Sequence, residues 1–206
     1  MELPAEPPPA PWHCRCDGIA WLVRAAGARG PAGRTLLGGG ALLRYAETPV
    51  GPYQEVQALL GQFTRHGVMV TVPFIAVDSP ASVVGGRRNW NLPKQQARFT
   101  GGRAAMIAHG DGWMVSARAR PIAPAVPVRL AGRLAQPGPD GTLTLASGSG
   151  TARMRPALVE VRVEIRVGRG GGAEADPPPW LRSGRHLGAV INSAEFTLGP
   201  SDQRSR

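Results

Sequence analysis

The chain has 206 residues, 42% of them hydrophobic, which is enough for one domain with a real core and short for two. Glycine (28) and proline (21) make up about a quarter of it, favouring turns and short strands over long helices, and no run approaches the roughly 20 apolar residues of a membrane helix. The net charge of +10 invites a nucleic-acid partner, yet the basic residues are scattered singly or in pairs and aromatic residues are only 5%, so few stacking platforms exist and nucleic-acid binding stays a minor reading.

Residues 1–11 form a proline-rich tail that is expected to be extended. Their opening, "MELPAEPPPAPW", has acids and prolines where a secretory signal has a basic end and an apolar stretch, so the sequence reads as cytoplasmic. Cys14 and Cys16 follow, beside His13. Three candidate ligands are too few for a metal centre, and a disulfide across one residue would be strained. They are expected as reduced thiols at the start of a strand, with neither metal nor cofactor.

Strands are predicted at 18–25 and 34–47 around a glycine-rich turn. The run "GVMVTVPFIAV" (67–77) predicts a buried strand, with Pro73 marking a bend or an edge. A short helix is predicted over 78–86: Asp78 or Ser79 caps it, Pro80 suits its first turn, and Gly85 and Gly86 end it. A loop then leads into the strand "QARFT".

From there the pattern is β throughout. One hairpin turns at His109, Gly110, Asp111 and Gly112, and a second at Gly138, Pro139, Asp140 and Gly141. In 158–167 the residues Val159, Val161, Val163, Ile165 and Val167 alternate with Glu160, Arg162, Glu164 and Arg166. A polar break (168–180) precedes a last strand at 186–198. The expectation is a mainly-β domain over 12–200 with a few short helices and a polar tail at 201–206. A closed β-barrel is favoured over a sandwich, because a closed sheet leaves no long edge to protect.

Within "GRRNWNLPKQQARF" (86–99) stands Lys94, the one lysine among 24 basic residues. Arginine fills most structural roles of a positive charge, but only lysine readily loses its proton and becomes a nucleophile. One lysine has to sit somewhere, and a solvated surface lysine is the ordinary kind. The neighbourhood weighs the other way: Trp90, Leu92 and Pro93 make a partly apolar approach. An ordinary lysine has a pKa near ~10.4, so about one amine in 2,500 is neutral at pH 7. A nucleophilic role needs a downward shift of roughly three units, or about 4 kcal/mol, from apolar walls or a nearby cation such as Arg87, Arg88 or Arg98.

This segment resembles the acetoacetate decarboxylase family. The shared pattern runs from an aspartate after an apolar strand (Asp78), through a Gly-Arg pair (Gly86, Arg87), to an aromatic loop ending in Pro-Lys (Trp90, Pro93, Lys94). A second family signature, P-V-G-x-Y-x-E, stands about forty residues earlier as "PVGPYQEV" (49–56), with Gly51, Tyr53 and Glu55. The resemblance is clearest over residues 40–100. It implies an acetoacetate decarboxylase-like closed β-barrel, often assembled as a homo-oligomer, that acts on a small carbonyl or keto-acid substrate. Lys94 would form a Schiff base and Glu55 would position substrate or handle protons. Arg87, Trp90, Tyr53 and Leu92 are the expected substrate-binding residues, with Arg87 equally suited to holding the loop.

The chain departs from the family pattern at three places. Family decarboxylases carry a second lysine directly after the first, where this chain has Gln95. Arg88 replaces the acidic residue that usually follows Gly-Arg. The strand "GGGALLR" lacks the glutamate where decarboxylases have another active-site acid. The readings that stay open are decarboxylation through an enamine, aldol or dehydration chemistry through the same imine, and a non-catalytic barrel that binds a small ligand. His66 and His109 read as turn residues, His186 as the opening of the last strand, and Glu47 as a solvated strand end.

Overall fold

The computed structural model describes residues 6–25, 27–31, 33–34, 37–64, 67–138, 142–165 and 175–204. Glycine and proline punctuate the chain often enough that almost every apolar run becomes a strand. In chain order the strands are β1 (Trp12–Val23), β2 (Arg29–Gly30), β3 (Gly33–Arg34), β4 (Leu37–Glu47), β5 (Tyr53–Thr64) and β6 (Gly67–Val77). A single helix among the described residues, α1 (Pro80–Trp90), comes next. Then follow β7 (Lys94–Gln96), β8 (Arg98–Gly102), β9 (Ala105–His109), β10 (Trp113–Pro121), β11 (Val126–Pro137), β12 (Leu143–Ile165) and β13 (Gly184–Arg204).

Seven strands form a hydrogen-bonded ring in the order β11-β6-β5-β4-β1-β13-β12, and β12 pairs back onto β11. The mainly-β, closed architecture expected from the sequence is the one found. β12 is long enough to serve two layers: residues up to Met154 pair with β11, and those from Ala157 pair with β10. Through β10 the ring continues into β9 and β8, which cover part of its outer surface.

This creates two apolar cores. The outer one lies between the ring and the β8–β10 layer, with Trp21, Leu42, Val56, Phe74, Met106 and Trp113 among its members. Phe74 meets Trp113 edge to face, with centroids 5.1 Å apart. The inner core fills the ring and includes Trp12, Leu43, Tyr45, Val72, Ile75 and Trp90. Strand alternation sends neighbouring residues to opposite cores. β1 changes its parity at a bulge between Cys16 and Gly18, so Trp12, Cys14 and Cys16 face inward while Ile19, Trp21 and Val23 face the outer core.

Pro73 marks a comparable break in β6. The β5–β6 register shifts between Ala58 and Leu60, and the partner on the other side changes there from β11 (at Met69 and Val70) to β7 (from Ile75). A residue without an N–H fits where no strand asks for one. The Gln136 side chain fills the gap: its Oε1 accepts from Val72 N (3.1 Å) and its Nε2 donates to Val72 O (2.9 Å).

The helix runs past its predicted end. Ser79 caps it, accepting from Ser82 N at 3.2 Å, and Asn91 closes it in the left-handed region at φ 53°. Gly85 and Gly86 lie inside it. Each glycine costs a helix interior about 1 kcal/mol relative to alanine, but here other side chains use the missing β-carbons. A Cβ on Gly85 would fall 2.5 Å from the Trp12 ring, and one on Gly86 would fall 2.6 Å from Lys94 Cδ. The helix lies across one end of the ring, fixed by Trp90 Nε1 donating to Gly199 O (2.8 Å) and Asn91 Nδ2 donating to Pro137 O (2.7 Å).

Described residues near both ends join the fold. Residues 201–204, expected as tail, continue β13 and pair with the first residues of β12. Pro7 is buried, and Pro8 O accepts from both Trp12 Nε1 (3.0 Å) and Asn89 Nδ2 (3.1 Å), which holds the described part of the first segment to the helix. Residues 1–5, His66, the 139–141 part of the second predicted turn, Val167 and most of the polar break lie outside the described residues. No described helix is long and apolar enough to cross a membrane.

Candidate active site

Lys94 opens β7, paired in parallel with Ile75 of β6. The turn from the helix is tight: Leu92 N donates to Gly86 O (3.2 Å), and Lys94 N donates to Leu92 O (2.8 Å). Arg87 Nε donates to Lys94 O at 2.7 Å and ties the lysine backbone to the helix. The side chain turns inward over Gly86 and is 3% exposed.

β5 supplies the facing wall. Its alternate residues Tyr53, Glu55, Gln57 and Leu59 line the inside of the ring. Glu55, also 3% exposed, accepts from Lys94 Nζ through Oε2 at 2.9 Å and from Tyr45 OH through Oε1 at 3.2 Å. Tyr45 lies opposite Tyr53 in the β4–β5 register, and the two rings stack with centroids 4.5 Å apart. Tyr53 OH accepts from Nζ at 3.4 Å, and its ring centroid is 5.0 Å from the same nitrogen. Ser82 Oγ, from the first turn of the helix, lies 2.9 Å from Nζ. An ammonium has three donors, and each here finds an oxygen: a carboxylate, a serine and a tyrosine.

Burial, with the charge of Glu55 second, holds the phenols of Tyr45 and Tyr53 well above the usual tyrosine range. Both therefore keep their protons near neutrality. Cys14 and Cys16, on the adjacent wall, are free and are pushed up to about 12, again by burial first and Glu55 second. As protonated thiols they are weak nucleophiles near neutrality. Among the described residues, no cluster of His, Cys, Asp and Glu could hold a metal ion.

These groups stand at the closed end of a cavity of about 490 Å³. Lys94, Glu55, Tyr53, Trp90 and Leu92, all singled out in the sequence, line it together. Arg87 does not: it is exposed and engaged with the Lys94 carbonyl. Arg129 and Arg133, both exposed, stand at the rim. Gln95 points away from the chamber, its side-chain amide exchanging two 2.8 Å hydrogen bonds with the backbone of Ala175. Arg88 is exposed and pairs with Glu6 at 2.9 Å. Thus neither Gln95 nor Arg88 enters the chamber.

Two residues at the lysine–glutamate pair were not anticipated, Tyr45 and Ser82. Tyr45 was readable in principle, because a short connection between "RYAE" and "YQEV" makes a hairpin that sets the tyrosines opposite one another. Ser82 carried no signal beyond lying three residues after a capping serine. The described histidines stay outside the cavity: His13 contacts Thr197 (2.7 Å), His186 lies 3.1 Å from Arg182 O, and His109 is exposed at the end of β9. Glu47 is exposed and paired with Arg15.

No protein-family model and no curated protein sequence matches the chain. Solved structures do match over nearly its whole length. An acetoacetate decarboxylase from Legionella pneumophila is 15% identical, with a TM-score of 0.60, covering 98% of this chain and 90% of that one. An acetoacetate decarboxylase-like enzyme from Sphingomonas wittichii RW1 is also 15% identical, with a TM-score of 0.63, over 100% and 97% of the two chains. The enduracididine biosynthesis enzyme MppR, complexed with the condensation product of pyruvate and imidazole 4-carboxaldehyde, is 16% identical, with a TM-score of 0.59, over 97% and 91%. At these identities the likeness concerns architecture, and on it the chain has the acetoacetate decarboxylase-like fold.

Proposed function

We propose that the protein is a carbon–carbon lyase that forms an imine at Lys94 and decarboxylates a β-keto acid. The observation that carries this reading is the sequence's single lysine, buried at the closed end of a cavity with Glu55 Oε2 at 2.9 Å. A buried ion pair is seldom kept for stability, since apolar residues of similar volume serve as well or better. A lysine sheltered in this way is instead suited to trading its proton with the carboxylate beside it.

In this reading Glu55 takes a proton from the ammonium and frees the amine, which attacks the substrate carbonyl carbon. The carbonyl oxygen leaves as water and the iminium forms. The electron pair of the bond to the carboxylate then moves toward the iminium nitrogen as carbon dioxide departs. The enamine left behind takes a proton at carbon, and water releases the ketone and restores the amine. Tyr53 and Ser82 hold the nitrogen on line, while Tyr45 fixes the rotamer of Glu55.

A second reading keeps the imine and replaces decarboxylation with an aldol-type condensation or dehydration. Two observations favour it. Among the described residues the closed end contains a carboxylate and no cation besides Lys94 to receive a substrate acid, and a protein of the same fold has been crystallised with a condensation product of pyruvate.

Borohydride reduction with acetoacetate, acetone and simple aldehydes tests the shared step. Substrate-derived mass is expected on the Lys94 peptide, and an unmodified peptide across the whole panel overturns both readings. Carbon dioxide release from acetoacetate above background supports the first reading, and imine trapping without release assigns the second.

A further inference from the structure

The cavity continues well beyond the lysine. From Glu55 the inward-facing residues of β5 proceed through Gln57 to Leu59, which is about 13 Å at ~3.3 Å per residue. Beside them β6 contributes Val72, Val70 and Val68, and β11, next in the ring, contributes Leu130 and Leu134. Exposure rises steadily along this path. Lys94 and Val72 are buried, Val70, Leu59 and Leu130 are half-buried, and Val68 at the rim is 37% exposed. The outer part is thus a lined, apolar corridor leading from bulk water to a polar terminus.

A keto acid of three or four carbons would occupy only the terminus. A volume of about 490 Å³ lies in the range of pockets that enclose a drug-sized ligand. Contiguous half-exposed valine and leucine side chains leave apolar surface in water, and such surface marks a binding groove. We propose that the substrate is a carbonyl compound with an extended apolar tail, its carbonyl at Lys94 and its tail along Val72, Val70, Leu59 and Leu130. This assignment rests on Lys94 being the imine-forming residue and adds the class of molecule it takes.

The experiment is a chain-length series. Acetone and methyl ketones with propyl, pentyl and heptyl tails are trapped on the full chain with cyanoborohydride, and half-saturation is read from the mass of the Lys94 peptide. Burial of each methylene should lower the half-saturating concentration by about fourfold until the corridor is filled. Val70→Trp and, independently, Leu59→Phe block the corridor, and each should bring the ratio of long-chain to acetone affinity close to one.

Equal affinity for acetone and the long ketones would overturn the tail assignment and leave the imine reading standing. Long-chain preference that survives both blocking variants would place the tail elsewhere and overturn it as well. Absence of trapping by every ketone, aldehyde and keto acid would remove the imine reading itself. If a variant fails to fold, the series on the unmodified protein still decides.

Discussion

The stem of Lys94 crosses α1 at Gly86, close enough that a β-carbon on the glycine would lie 2.6 Å from Lys94 Cδ. The helix surface is therefore part of the lysine's mould. Gly86→Ala should raise helix propensity by about 1 kcal/mol, so the fold should persist with a melting temperature near that of the unmodified protein. The displaced amine should nevertheless form imine on the order of 100-fold more slowly, the scale expected when a reacting group is moved by about 1 Å. Borohydride trapping alongside thermal melting measures both. Trapping at the unmodified rate would show that the stem does not need this gap.

Lys94 and Glu55 should behave as a unit. Lys94→Met leaves the Glu55 carboxylate buried without its cation and should cost about 3–5 kcal/mol, while the double change Lys94→Met with Glu55→Gln should recover much of that loss. Urea unfolding of the two single variants and the double variant gives the coupling directly. Additive losses would mean the two side chains are not energetically linked.

Alkaline pH should unfold the protein partly through its thiols. Burial raises Cys14 and Cys16 from an ordinary 9.0 to about 12, so the folded state holds each proton more tightly than the unfolded chain does. Their contribution is whole below pH 9 and is lost as the pH rises from 9 toward 12. At about 1.4 kcal/mol per unit the ceiling is ~4 kcal/mol for each thiol, reduced in practice by residual solvent contact. Melting temperatures recorded across this window should fall less steeply for the Cys14→Ala, Cys16→Ala double variant. Parallel curves would assign the alkaline loss to other groups. Iodoacetamide below pH 9 should label neither cysteine until denaturant is added.

Gln136 substitutes for strand pairing at Val72, accepting from its N–H and donating to its carbonyl. Gln136→Leu keeps the volume but leaves a buried N–H and a buried carbonyl unpaired, at about 1–3 kcal/mol each. The expected loss of roughly 2 kcal/mol or more would appear in equilibrium unfolding. A neutral result would mean that water or a shifted strand satisfies those groups.

The sequence disclosed the strand content and the lysine more readily than the surroundings that give the lysine its character. β6 was legible from its unbroken apolar run, and the β9–β10 turn from its glycines. β5 is legible only as a motif, because "YQEVQALLGQFT" carries polar residues on its inward face, where they line the cavity rather than meet solvent. The helix end was misplaced for a related reason. Propensity treats Gly85 and Gly86 as stops, whereas the fold uses them as clearance for Trp12 and Lys94. Cys14, Cys16 and Ser82 gave little away, since their value depends on neighbours distant in the chain. Gln95 stands out in the sequence for the charge it lacks, and its attachment to Ala175 is purely a matter of tertiary contact.

The ring is fastened unevenly. β6 and β11 share backbone pairing over only two residue pairs, Arg133 with Met69 and Leu134 with Val70, extended by the Gln136 and Thr71 side chains, while the antiparallel neighbours around the ring run alongside one another for most of their length. Such a brief parallel clasp is the least costly place for the wall to part, and amides near it should exchange with deuterium before those at the centre of β12 or β13. Val70 and Leu134 belong to the clasp and also line the chamber. Parting of this one seam would therefore widen the cavity that both residues line.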